Sequence, residues 1–345
     1  MFRRIIFLFL QFSVLLTVAQ IPNGYYDDAE GKTGSDLRSA LYNIIKDHDE
    51  QTYNSLWTHF QSTDKIGSDQ VWDMYSVRAD GSSNYVFHYT DDQCGDYSGE
   101  GDCYNREHSF PKSWFDDASP MYTDLFHLYP TDGHVNGKRG NLPYGEVGSA
   151  DWTSTNGSKV GNSNVSGYSD KVFEPIDAYK GDFARSYFYM LTRYYPRIKD
   201  WNSDMLSGDN FSAWARQLLL DWNSEDPVSD KEKDRNNAVY DIQNNRNPFI
   251  DHPEWASDIW GNNEGVVGIA SNTGIRLWCS NNTLYWKLEE NSEGALIIYN
   301  IVGQNIKTIT VKEQQNSSVL NLEDGIYIAR FTSEKEDITV KFIIH

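Results

Sequence analysis

Cysteine is scarce: the 345-residue chain has three. Cys94 and Cys103 lie close together in the glycine-rich run DDQCGDYSGEGDC, and nothing near them has zinc-site spacing. In an oxidising compartment that pair predicts a local disulfide. Cys279 stands alone and reads as a small core residue rather than a reactive thiol. Positive charge is also short. Against 50 Asp and Glu there are 30 Lys and Arg, a formal net charge of −20. Nonspecific nucleic-acid binding rests on cations neutralising phosphates, so this balance argues against a protein that coats DNA. It leaves room for a hydrolase that must release its product, with contacts from a local patch and bound cations. Long apolar runs are missing too. The opening MFRRIIFLFLQFSVLLTVAQ has Arg3 and Arg4 before an apolar run from Ile5 to about Val18, shorter than the ~20 residues a spanning helix needs. That layout is a secretory signal peptide over 1–19, which places the mature protein outside the cytoplasm. No internal repeat or low-complexity tract is present.

Aromatic residues make up 14% of the chain, enough for a sizeable core. Ser35 is placed to cap a helix carrying Leu37, Leu41, Ile44 and Ile45 on one face. A short aromatic strand is expected over Asn84–Tyr89, and the chain turns extended again between Tyr168 and Pro175. Helices are expected from near Asp182, Ser212 and Ser229, with Pro175, Pro196 and Pro227 at the breaks. Composition then shifts. After the linker GNNEG, short alternating strands (LYWKL, ALIIYNI, KTITV, IYIARF, ITVKFII) predict an all-β sandwich. The expected boundaries are a first domain over 20–262, a linker over 263–274 and a sandwich over 275–345.

Two segments hold candidate chemistry. YNREHSFPKSWF places Glu107 beside His108, and TDLFHLYPTDGHVNGKRGNLPYGEV places Asn136 and Arg139 three apart, on one face of any helix there. Hydrolysis of a phosphodiester needs a base to take the proton of attacking water, and a neutral imidazole suits that task. Charge builds on the phosphoryl oxygens and the leaving 3′ oxygen, which a hard divalent cation on few oxygen ligands can offset. Glu107 and Asn136 offer such oxygens, with Asn141 as competitor for the amide, and Arg139 is a candidate phosphate contact. The donor types favour magnesium, or another divalent cation such as Mn2+ or Ca2+, over zinc. Adjacent residues point to opposite faces of a regular strand, so Glu107 and His108 can share a site only at a strand end or kink. On residue types alone a Glu-His pair fixes no site, because histidines are more often structural.

At these residues the chain resembles the bacterial endonuclease I family. The resemblance rests on NREHSFPKSWF, on the run from Asp124 to Glu146 containing VNGKRGN and PYGE, and on RNNAVYDIQNNRNPFIDHPEW from Arg235 to Trp255. It spans most of the region from Gly24 to Trp260. It implies an α+β fold with a ββα-metal (His-Me finger) core wrapped by helices. It also implies a secreted endonuclease cutting DNA, and RNA too, with little sequence preference and 5′-phosphate products. His108 is then the general base, Glu107 and Asn136 the metal ligands, and Arg139 a catalytic phosphate contact. One departure stands out: the family run usually reads Asp-Leu-His, whereas this chain has Asp124-Leu125-Phe126-His127. The stretch ending at His345 resembles the type A sorting domain of type IX (Por) secretion. That implies the type IX machinery as a partner and export through the periplasm to the cell surface or medium.

Bland alternatives stand beside each assignment. Arg139 can pair with Asp132 or Glu146. Arg235 and Arg246 can contact DNA, or the asparagines around them can simply lock a helix end onto the core. The rings of YFYMLTRYY fit a core better than a base-stacking platform. Two rival functions remain: a secreted nucleic-acid-binding or adhesion protein with a silent nuclease fold, and a phosphatase or phosphodiesterase acting on small nucleotides.

Overall fold

Every residue of the helix Lys180–Arg193 is buried, and the first part of the chain is assembled around it. The computed structural model describes residues 21–261, 275–280, 283–288, 294–312, 315–320, 322–323, 325–333 and 337–344. The expected signal peptide (1–19) and linker (263–274) lie outside the described residues. Two compact units are present, one of residues up to Glu30 with Ala40–Pro253, the other of Gly31–Ser39 with Glu254–His345.

In chain order, helices Gly34–Ile45 (α1) and Leu56–Thr63 (α2) precede the two-residue strands Lys65–Ile66 (β1) and Gln70–Val71 (β2). The antiparallel pair Tyr104–His108 (β3) and Leu128–Asp132 (β4) runs directly into Gly133–Arg139 (α3). Val147–Thr153 (β5), Lys159–Ser163 (β6) and Lys171–Glu174 (β7) form a three-stranded antiparallel sheet. Lys180–Arg193 (α4), Leu206–Ser207 (β8), Asn210–Phe211 (β9), Ala213–Glu225 (α5), Asp230–Gln243 (α6) and Pro248–Asp251 (α7) complete the unit.

Local chemistry explains most of these limits. Ser229 and Glu232 make the reciprocal bonds of a capping box, which starts α6 where the sequence places it. Asn244 ends that helix in the left-handed conformation, and Asn247 caps α7 by accepting from the Phe249 N–H. Helix α1 starts at Gly34, one residue before the expected cap Ser35, and α4 at Lys180, two before Asp182. The aromatic segment 84–89 is not a strand. It meets β2 only through a bridge between His88 and Gln70, and Val86 is exposed, so no neighbouring strand completes a ladder there.

The second unit carries two antiparallel sheets. Ile275–Ser280 (β10), Thr283–Leu288 (β11) and Gln315–Val319 (β14) form one. Gly294–Asn300 (β12), Asn305–Val311 (β13), Gly325–Thr332 (β15) and Asp337–Ile344 (β16) form the other, in the order β13-β12-β15-β16. Leu277, Leu284 and Trp286 from the first sheet share one core with Leu296, Ile298, Phe331 and Phe342 from the second. Both inner faces are apolar at alternate positions, which makes this a β-sandwich. Cys279 lies on β10, but its side chain is outside the described residues. The fold class is α+β, as expected.

Candidate active site

The β3-β4-α3 unit is positioned by backbone bonds at both ends. Cys94 and Cys103 are joined by a disulfide, and the Cys103 carbonyl accepts from the Gly133 N–H at 2.9 Å. Asp132 caps α3: its Oδ1 accepts from the Val135 N–H at 2.9 Å and its Oδ2 from the Gly101 N–H at 2.7 Å. Its own N–H donates to Asp73 Oδ2 at 2.9 Å. Gly140, at φ 55, ends the helix after two turns. His108 is the last residue of β3, paired with Leu128, while Glu107 faces Tyr129. A strand end is where adjacent side chains can converge.

Glu107 and Arg139 do converge, in the interior. Glu107 is 3% and Arg139 1% exposed. Arg139 Nη1 donates to Glu107 Oε1 at 2.9 Å and to the His108 carbonyl at 2.9 Å, and Nη2 donates to the Ser109 carbonyl at 2.6 Å. The Tyr75 hydroxyl donates to the same Oε1 at 2.9 Å and meets Tyr144 Oη at 3.0 Å. Both protein contacts therefore fall on one carboxylate oxygen. Among the described residues no hydrogen bond reaches Oε2. Burial raises the Glu107 carboxyl to about 7, against the opposing pull of Arg139 and Tyr75.

His108 is buried among rings. It stacks on Tyr122 (centroids 5.2 Å apart) and Tyr53 (6.2 Å), with His127 at 5.5 Å. Its Nε2 lies 3.0 Å from the Tyr122 carbonyl. A carbonyl oxygen only accepts, so Nε2 carries the proton and Nδ1 holds the free lone pair. Burial, followed by the charge of His127, keeps the imidazole well below its usual value, and Lys112 and Arg139 add to this. The neutral form results.

Asn136 is half-buried on α3, one turn before Arg139. Side chains three apart on a helix are neighbours, so its carboxamide lies one turn from a residue that touches Glu107. Asn141 is exposed and lines a cleft of about 320 Å³ with Ser113, Trp114, Asn202 and Asp204. Phe126 packs on Tyr189 in the core, and His127 donates from Nε2 to the Met121 carbonyl at 2.7 Å. Asp124 accepts from the Tyr189, Tyr194 and Gln243 side chains and is fold-supporting. Arg235 binds Asp64 and the carbonyls of Leu125 and Leu128, while Arg246 binds Asp251. Both are internal supports, and Tyr187, Phe188 and Tyr189 are fully buried core. Nothing in the residue pattern pointed to Tyr75, Tyr53 or the Tyr122 carbonyl. Arg106, over the rings of Tyr53 (3.6 Å) and Trp57 (4.3 Å), was equally silent.

Comparison with known proteins identifies the family. The family described as Endonuclease I matches residues 33–254, and that described as Secretion system C-terminal sorting domain matches residues 280–345. The chain is 35% identical to an extracellular ribonuclease of Bacillus amyloliquefaciens over 72% of this chain and 82% of that protein. It is 35% identical to an extracellular ribonuclease of Bacillus subtilis (strain 168) over 68% and 78% of the two chains. An extracellular deoxyribonuclease of Aeromonas hydrophila is 26% identical over 39% of this chain and 52% of its own length. The chain belongs to the endonuclease I family and is a hydrolase of nucleic-acid phosphodiester bonds.

Proposed function

We propose that this is a secreted, metal-dependent, sequence-nonspecific endonuclease acting on DNA and RNA, with His108 as general base. One observation carries the proposal: the bond from His108 Nε2 to the Tyr122 carbonyl commits that nitrogen and leaves Nδ1 as the proton acceptor. His108 Nδ1 takes the proton of water attacking phosphorus. The 3′ oxygen departs, leaving a 5′-phosphate and a 3′-hydroxyl.

The residues present fit a hard divalent cation. Tyr75 and Arg139 both engage Glu107 Oε1, leaving Oε2 for a metal, and Asn136 supplies an amide oxygen. Among the described residues no group of three or more His, Cys, Asp or Glu is placed to hold a metal. Two protein oxygens leave the remaining shell to water and phosphate, as suits magnesium. When bound, the cation supplies charge that stabilises the phosphoryl oxygens and the leaving oxygen. Arg139 acts here as a positioning residue. It fixes the Glu107 carboxylate and the His108 and Ser109 carbonyls from the inside, and its burial keeps it from solvent-borne phosphate.

The secretion system C-terminal sorting domain at residues 280–345 supports export by the type IX machinery to the surface or medium. The extracellular ribonuclease and deoxyribonuclease relatives support both nucleic acids as substrates. The test is cleavage of supercoiled plasmid and of a long RNA by purified protein, with magnesium and with chelator. Magnesium-dependent cutting of both is expected. Binding without cutting points instead to a silent nuclease fold, and preference for chromogenic monoesters to a small-nucleotide phosphatase.

A further inference from the structure

With Arg139 enclosed, the substrate's phosphates need another cation near His108. Arg106 is held over the rings of Tyr53 and Trp57 and donates to the Tyr53 carbonyl at 2.8 Å. Lys138 lies 6.0 Å from the Trp152 ring on the far turn of α3. Lys112 differs. Its Nζ lies 5.5 Å from the Tyr122 ring, the ring that stacks on His108 and whose residue holds His108 Nε2. The ammonium is thus one ring away from the imidazole, and its charge reaches it. Its partner is Asp117 at 2.8 Å, and the two side chains are 44% and 57% exposed.

We propose that Lys112 binds a backbone phosphate of the substrate beside the scissile one, and that Asp117 holds its place until the nucleic acid arrives. An exposed ion pair adds little to stability, so exchanging a carboxylate for a phosphate oxygen costs little. Asp117 also adds a negative charge at the substrate's entry, which opposes binding in a chain already at −20. The pair therefore tunes affinity and product release while leaving the bond-breaking step to His108. This inference rests on the nuclease reading above, which supplies the phosphate at His108.

The experiment measures binding of a fluorescein-labelled single-stranded DNA oligonucleotide by anisotropy, in chelator, across a salt series. It compares wild type, Lys112→Gln and Asp117→Asn. Asparagine tolerates the left-handed backbone of Asp117 (φ 53), so that variant keeps the turn. Lys112→Gln is expected to weaken binding severalfold and to reduce the slope of log K against log salt by ~0.7, the loss of one phosphate contact. Asp117→Asn is expected to tighten binding severalfold. An unchanged slope and affinity in Lys112→Gln, or weaker binding by Asp117→Asn, overturns the proposal. Cleavage assays separate it from the nuclease reading. His108-dependent cutting with an intact Lys112→Gln salt slope sinks only the Lys112 role. A lost slope in a protein that never cuts upholds phosphate binding and sinks the nuclease reading.

Discussion

Arg139 Nη1 and Glu107 Oε1 lie 2.9 Å apart with both side chains inside the protein, so the carboxylate expected to hold a metal is anchored by a buried ion pair. Breaking such a pair from one side costs ~3–5 kcal/mol, because it strands a charge in the interior. Arg139→Met should lower the free energy of unfolding in urea by that order. The double variant with Glu107→Gln should regain part of the loss. Full stability of Arg139→Met would show that the arginine is free for another task, such as phosphate contact.

Metal binding should be visible without turnover. A ligand at a hundred times its Kd stabilises the native state by about 2.7 kcal/mol, so magnesium should raise the melting temperature of the wild-type protein. Glu107→Gln and Asn136→Ala should each blunt that rise and shift the titration to higher metal. An undiminished rise in Asn136→Ala would remove it from the ligand set and favour Asn141.

The buried carboxyls Asp73 and Glu232 should each withdraw stability as pH rises toward neutrality in the metal-free protein. Burial lifts the Asp73 carboxyl to about 7 from 3.8, and the charge of Asp132 adds to this against bonds from Ser76 and the Tyr75 N–H. A carboxyl raised in the folded state contributes stability fully present below about pH 4 and lost as pH passes its folded value. Glu232, also raised to about 7 by burial, acts in the same sense. The buried histidines His48, His108 and His127 act in the opposite sense below about pH 6.5. The Asp73 contribution is therefore read as a difference: in urea unfolding from pH 5 to 8 it should pull wild-type stability downward relative to Asp73→Asn. An equal pH profile in Asp73→Asn would place the titration elsewhere.

Gly137, on α3 beside Asn136, has Tyr97 packed against it: an added Cβ would meet the Tyr97 hydroxyl, with Cζ at 3.0 Å. Glycine to alanine in a helix normally gains ~1 kcal/mol. Gly137→Ala should lose that gain in the wild-type background and show it once Tyr97→Ala has cleared the space. Equal effects in both backgrounds would mean that Tyr97 does not press on the helix.

The candidate residues were legible in the sequence, and the contacts that support them were not. Glu107, His108 and Asn136 belong to local runs that fold into one strand end and one helix, and the helix expected from near Ser229 is α6. Arg139 illustrates the limit. Its place three residues after Asn136 gives a shared helix face, but whether that face meets solvent or the Glu107 carboxylate depends on Tyr75 and Tyr144, distant in sequence. The partner of His108 is a backbone carbonyl, which every residue carries, so no residue type at position 122 could signal it. The segment 84–89 failed for a related reason, since aromatic alternation fits a strand only where another strand is present to pair with it.

The most direct test of the central assignment is the rate of plasmid nicking by His108→Ala in saturating magnesium, with and without added imidazole. General-base catalysis is worth ~10²–10⁴ in rate. The expected result is a loss of that size, partly restored by imidazole in the space the side chain vacates. Nicking at the wild-type rate without imidazole would contradict His108 as the base.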